Sequence, residues 1–233
     1  MPDEPRLADA ASATPSTAMA GHAAAPAAAA ESAHPAIPAV LAGLRAATGE
    51  QHEQLHHLMP LSVHAAGLRD YLAHLLVLRA WLAPLEPWLA ACGDGPAADP
   101  AALPPVSRLA LIDADLAAAP GDAVPAGPAA AAPWWPAGAT SAYRWGVSYV
   151  IEGSQMGGAV LYQQLHERLA PHPLGFLASG RSGLSARWKA FVRGLAAEVA
   201  TPAQIAEACR GASDAFDRLV GLAGAHRAAG AAA

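Results

Sequence analysis

A chain of 233 residues with net charge −5 and only 14 lysines and arginines has room for one good hydrophobic core, but no cationic stripe to neutralise a row of nucleic-acid phosphates. Its 54% apolar content is inflated by alanine, and no proline-free stretch of about 20 strongly apolar residues exists to span a bilayer. A soluble, cytoplasmic protein is therefore expected, with no nucleic-acid or membrane partner.

Residues 1–36 consist largely of Ala, Pro, Ser and Thr, with almost no large apolar side chain after Leu7. They cannot bury enough surface to offset ordering entropy and read as a disordered tail. Met1-Pro-Asp-Glu-Pro5 is acidic and no leucine-rich segment follows, so a signal peptide is not expected. From Ala39 to Met59, the positions Arg45, Thr48, His52, Leu55 and Met59 recur at steps of three and four and share a helical face. Leu68, Tyr71, Leu72, Leu75, Leu76, Leu82, Leu85 and Leu89 mark a second, longer helix, which Pro84 and Pro87 should kink or end. A short helix is predicted around Val106 to Leu116, and the Pro-rich stretch 117–139 reads as a long loop. A helix over about Ser141 to Leu169 is stopped by Pro171-His-Pro173. Helices over Leu184 to Val199 and Pro202 to about Leu222 follow, the last opened by Thr201 as N-cap, Pro202 as first helical residue and Gln204 as reciprocal cap. Residues 226–233 should be disordered, Ala228 to Ala233 fraying. No segment alternates with the period of a strand. The expected fold is all-α, a single domain of about six to eight helices over residues 37–225. Cys92 and Cys209 lie far apart on apolar helical patterns and read as buried free thiols of a reducing compartment.

The stretch Tyr149-Val-Ile-Glu-Gly-Ser-Gln-Met-Gly-Gly-Ala-Val-Leu161 places Gly153, Gly157 and Gly158 inside an otherwise amphipathic helix. Each interior glycine costs a helix about 1 kcal/mol relative to alanine. Two readings account for them: a bare backbone laid close to a flat ligand, or a tight helix crossing that needs small residues. Among the ten histidines, His52 stands out because it shares a face with Leu55 and Met59, so its ring should point into a pocket rather than to water. It is either a satisfied core residue or a metal ligand. Arg45 lies about 10 Å along the same helix, a suitable reach for a cation meeting a carboxylate at the edge of a macrocycle.

Leu44-Arg-Ala-Ala-Thr-Gly-Glu-Gln-His52-Glu-Gln-Leu55 resembles the proximal helix of haem oxygenases, and Tyr149-Val-Ile-Glu152 followed by Gly153-Ser-Gln-Met-Gly157-Gly158 resembles their kinked distal helix. The form is most similar to the bacterial branch, which includes enzymes supplying biliverdin to bacteriophytochromes, and the resemblance covers roughly residues 40–222. It implies a fold that holds haem between the proximal and distal helices. It further implies His52 as iron ligand through a neutral imidazole nitrogen, Arg45 and Thr48 beside the haem, and Gly153, Gly157 and Gly158 over its distal face. Arg187-Trp-Lys189-Ala-Phe-Val-Arg193 resembles the family's C-terminal basic segment, which places Lys189 and Arg193, one turn apart, at the propionates; the alternative is an ordinary solvated face.

Haem would then be both substrate and cofactor, cleaved with O2 and an external electron donor to biliverdin, carbon monoxide and ferrous iron. The donor implied is a ferredoxin or a flavoprotein reductase, and a bacteriophytochrome is a possible recipient of the product. Two positions depart from the pattern. Ser154 stands where animal members carry an aspartate, so water held by backbone, Ser154 or Gln155 would replace it. His56 stands where a carboxylate often orients the ligand imidazole. A non-catalytic haem carrier or sensor on the same scaffold is the main alternative. A thiaminase-like helical hydrolase is the other, but neither cysteine has the flanking signature of a nucleophile.

Overall fold

The computed structural model describes residues 37–63, 65–129, 132–179 and 181–232, and these form seven α-helices and no strand. The all-α expectation and its helix count are met; the tail expected over residues 1–36 lies outside the described residues. Residues 37–233 make one unit.

Helix α1 spans Ala39–Leu58 and buries Val40, Leu41, Leu44 and Thr48. Helix α2, Leu68–Ala90, begins where the Asp70 carboxylate accepts the Gly67 N–H at 2.8 Å. It contains both Pro84 and Pro87 and continues to Ala90, so the prolines do not end it. Each costs a helix about 3 kcal/mol in isolation, but Leu82 and Leu85 are buried and the Trp88 ring stacks on Trp135 at 4.5 Å, so tertiary packing overrides the local penalty. Trp135 belongs to the 117–139 segment, which forms no helix beyond Ala118 among its described residues but returns to cover the end of α2.

Helix α3, Arg108–Ala118, starts two residues later than expected because its caps lie there: Ser107 accepts the Ala110 N–H, and Glu86 of α2 accepts those of Arg108 and Leu109 at 2.8 and 3.1 Å. Helix α4, Ser141–Leu165, is capped by Thr140 and runs through its three glycines as one helix, ending before the expected Leu169. A short helix α5, Gly175–Ala178, has no counterpart in the sequence reading. Asp115 of α3, buried and hydrogen-bonded by Tyr71 at 2.5 Å, accepts the Gly175 and Phe176 N–H groups at 2.8 Å each and so fixes its first turn.

Helix α6 spans Leu184–Glu198, and α7 spans Pro202–Ala231. The capping box at the start of α7 forms as predicted, Thr201 and Gln204 exchanging side-chain to backbone bonds at 3.2 and 3.0 Å. Its other end corrects the expectation: residues 226–231 are helical, held by burial of Leu222 and Ala223 and by Arg227 donating to the His57 carbonyl at 2.9 Å. Cys92 and Cys209 are free as expected but only half-buried.

Helix α7 organises the unit. Both α1 and α4 pack along it, and they make little direct contact with each other. The α4–α7 approach is close enough that a Cβ at Gly146 would overlap the Ala208 carbonyl, and one at Gly211 would overlap that of Tyr143. On the far side, the Trp81 indole of α2 donates to the Ala215 carbonyl at 3.1 Å. Helix α6 touches both α1 and α4, and the candidate residues lie on these three helices.

Candidate functional site

On α1, the Thr48 hydroxyl is buried and donates to the Leu44 carbonyl at 2.8 Å. His52, one turn on, is exposed, its ring edge-on to Phe216 of α7 with centroids 6.1 Å apart. This corrects the expectation of a ring turned away from water. The core stripe of α1 is centred on Leu41, Leu44 and Thr48, and His52 sits at its edge, where Phe216 of α7 meets the ring edge-on and leaves the rest accessible. His56 is also exposed and its ring meets that of His57 at 5.4 Å. The nearby carboxylate of Glu53 pairs with His57 at 3.2 Å, not with His52.

Helix α4 meets α1 through Tyr149, whose hydroxyl lies beside Thr48 and Arg45. Burial raises this phenol above its ordinary range, against the opposing pull of Arg45 and Thr48. Gly153 follows one turn later. A Cβ there would meet only the Trp188 ring of α6, at 4.0 Å, and a Cβ at Gly157 would meet nothing within 4 Å. Gly158 faces Leu177 of α5 at an ordinary 3.6 Å. The crossing that requires small residues is thus made by Gly146 and Gly211, and the distal glycines are spare of any packing duty. Gly153 and Gly157 are therefore not required by a tight helix crossing, and leave a stretch of backbone bare toward open space. Ser154 is exposed and returns its hydroxyl to the Ile151 carbonyl at 2.8 Å, while the Gln155 amide reaches Ser154 at 3.3 Å. The Ser154 oxygen keeps acceptor capacity, though its proton is committed to the helix.

The residue before Gly153 carries a cluster that the sequence reading did not assign. Glu152 is buried, and its carboxylate accepts from Arg187 of α6 through Nε and Nη2, both at 2.7 Å, and from Arg108 of α3 through Nη2 at 2.8 Å. Burial alone would raise its pKa, but the bonds and charges of Arg187 and Arg108 outweigh it and hold the group below its ordinary value. A signal was present: a carboxylate following Val150 and Ile151 on a core-facing helix needs a cationic partner.

The cations of α6 divide by role. Arg187 turns inward to Glu152 and also donates to the Pro104 carbonyl at 2.7 Å. Lys189 and Arg193 are exposed, as is Arg45 on α1, and none of these forms an ion pair among the described residues. Between Arg187 and Lys189, Trp188 lies against Tyr149 with ring centroids 6.0 Å apart. The exposed His52 imidazole, the bare backbone at Gly153 and Gly157 and the cations Arg45, Lys189 and Arg193 lie on three helices, α1, α4 and α6; the contacts seen between these helices join Tyr149 to Arg45 and Thr48, and Tyr149 and Gly153 to Trp188. No three His, Cys, Asp or Glu side chains among the described residues converge as a metal cluster.

The profile of one protein family, Heme oxygenase, matches residues 39–222, the span that contains α1 to α6 and most of α7. The chain belongs to the heme oxygenase family. No individual curated protein matches it. Family membership carries haem binding and a haem-oxygenase type of function, and no helix among the described residues is long and apolar enough to cross a membrane.

Proposed function

We propose that the protein is an active haem oxygenase that opens haem to biliverdin, carbon monoxide and ferrous iron, using O2 and electrons from a ferredoxin or flavoprotein reductase. The observation that carries the reading is the division of labour among the glycines of α4. Gly146 is consumed by the crossing with α7, whereas Gly153 and Gly157 leave backbone unoccupied where a flat substrate would lie. Bound there, haem supplies the redox-active iron and the carbon that is oxidised.

The chain's own residues bind and orient. The neutral His52 imidazole would be the iron ligand, with Phe216 supporting one edge of the ring. Arg45, Lys189 and Arg193 would meet the carboxylates of the substrate, with Tyr149 beside Arg45 to steady it. Gly153 and Gly157 keep bulky side chains away from the reacting edge, and Ser154 accepts a hydrogen bond from water without being an acid. Supply of pigment to a bacteriophytochrome and a cytoplasmic location belong to the same proposal, by resemblance to the bacterial branch.

Titration with hemin, followed by ascorbate, tests it directly. Wild type should take up one hemin and convert its Soret band to a red-absorbing pigment. His52→Ala should lose turnover and regain it when imidazole is added. Stoichiometric hemin uptake without ring opening under any donor would leave a haem carrier instead.

A further inference from the structure

We infer that Glu152 is a positioning residue that, through Arg187, sets how α6 presents Lys189 and Arg193 to the carboxylate edge of bound haem, and so selects the in-plane orientation of the ring. The inference rests on the haem-binding reading above. Both Glu152 oxygens are engaged: Oε1 takes Arg108 and Arg187, and Oε2 takes the Arg187 Nε. A two-point fork between guanidinium and carboxylate fixes direction as well as distance, which a lysine could not do. The fork is enclosed, with side-chain exposures of 10% for Glu152 and 22% for Arg187, and Arg187 is braced from behind by the Pro104 carbonyl.

The sequence neighbours of the two partners are what gives the fork its reach. Glu152 directly precedes Gly153, and Arg187 directly precedes Trp188, whose ring is what a Gly153 Cβ would meet. Lys189 and Arg193 follow on the same helix, exposed and without ion-pair partners of their own among the described residues. Arg187 therefore ties the first turn of α6 to the residue that precedes the bare stretch of α4. Loss of the fork would loosen the first turns of α6, shifting Lys189 relative to Arg193, which stays fixed between buried Phe191 and Leu195.

The test reads ring orientation rather than turnover. Full-length protein is loaded with hemin, and the haem methyl resonances of its cyanide complex are recorded by proton NMR. Wild type should show one dominant set. Arg187→Gln, which leaves the Glu152–Arg108 pair in place, should still bind hemin but lower the ratio of the two orientations by about tenfold, as expected for a lost charge-assisted contact. Glu152→Gln should do the same and the double variant no more; Arg187→Lys, keeping charge without the fork, should fail to restore the single set. If Glu152→Gln does not fold, Arg187→Gln decides alone. Variants that bind hemin with the wild-type methyl pattern overturn the inference and leave the haem-binding reading standing. Failure of wild type to take up hemin removes that reading and this inference with it.

Discussion

His74 sits in the middle of α2, 8% exposed, and its Nδ1 is buried without a hydrogen-bond partner. Burial lowers its pKa to about 4 from an ordinary 6.5, so the folded protein holds this ring neutral where an unfolded chain would take up a proton. The sign follows: stability is complete above pH 6.5 and falls as the pH drops toward 4, by roughly 3 kcal/mol across that window. That is a large share of the 5–15 kcal/mol typical of a domain. His74→Leu should therefore flatten the pH dependence of urea unfolding between pH 6.5 and 4, and an unchanged slope would mean that another group titrates there. The exposed His52 illustrates the opposite case. Its ring is reachable because it sits at the edge of the α1 stripe rather than its centre.

Within one element, α4, glycines differ in what surrounds them, and the same substitution should have opposite effects at Gly146 and Gly157. Gly146→Ala would drive a methyl group into the Ala208 backbone carbonyl, which cannot rotate away, so a loss of at least about 1–3 kcal/mol is expected. Gly157→Ala places its methyl group in open space and should stabilise the helix by up to about 1 kcal/mol. Chemical denaturation of the two variants checks the contrast; equal destabilisation would mean that Gly157 also packs. Gly157→Leu should then keep some hemin binding while losing ring opening, since its side chain would occupy the space over the substrate. Helix α2 shows the same dominance of packing over local preference, for Pro84 and Pro87 are carried through by neighbours that bury around them.

Across the whole molecule, the buried carboxylate of Glu152 joins helices from three parts of the chain, α3 through Arg108, α4 through itself and α6 through Arg187. Removing one partner of such a cluster leaves buried charge uncompensated, at a cost of about 3–5 kcal/mol near neutrality. Because the Glu152 pKa lies below its ordinary 4.5, its contribution is present above that pH and is lost as the pH falls through the depressed value. Glu152→Gln should accordingly be less stable than wild type at pH 7, with the gap closing below pH 4.5. A gap independent of pH would assign the loss to packing. Acid should thus weaken the fold in two stages, His74 first and Glu152 after it.

Sequence alone determined the helical class and most helix starts, because periodicity and caps are local properties written residue by residue, whereas the roles proposed for His52, Arg45, Lys189, Arg193, Gly153, Gly157 and Gly158 rest on the resemblance to the family. Tertiary structure alone decided which glycines pack and which lie bare, that α2 outlasts its prolines and α7 its alanine-rich end, and that Glu152 closes on Arg108 and Arg187. Each of those outcomes depends on what a distant segment places against the residue, and no pattern within a single helix encodes its neighbour.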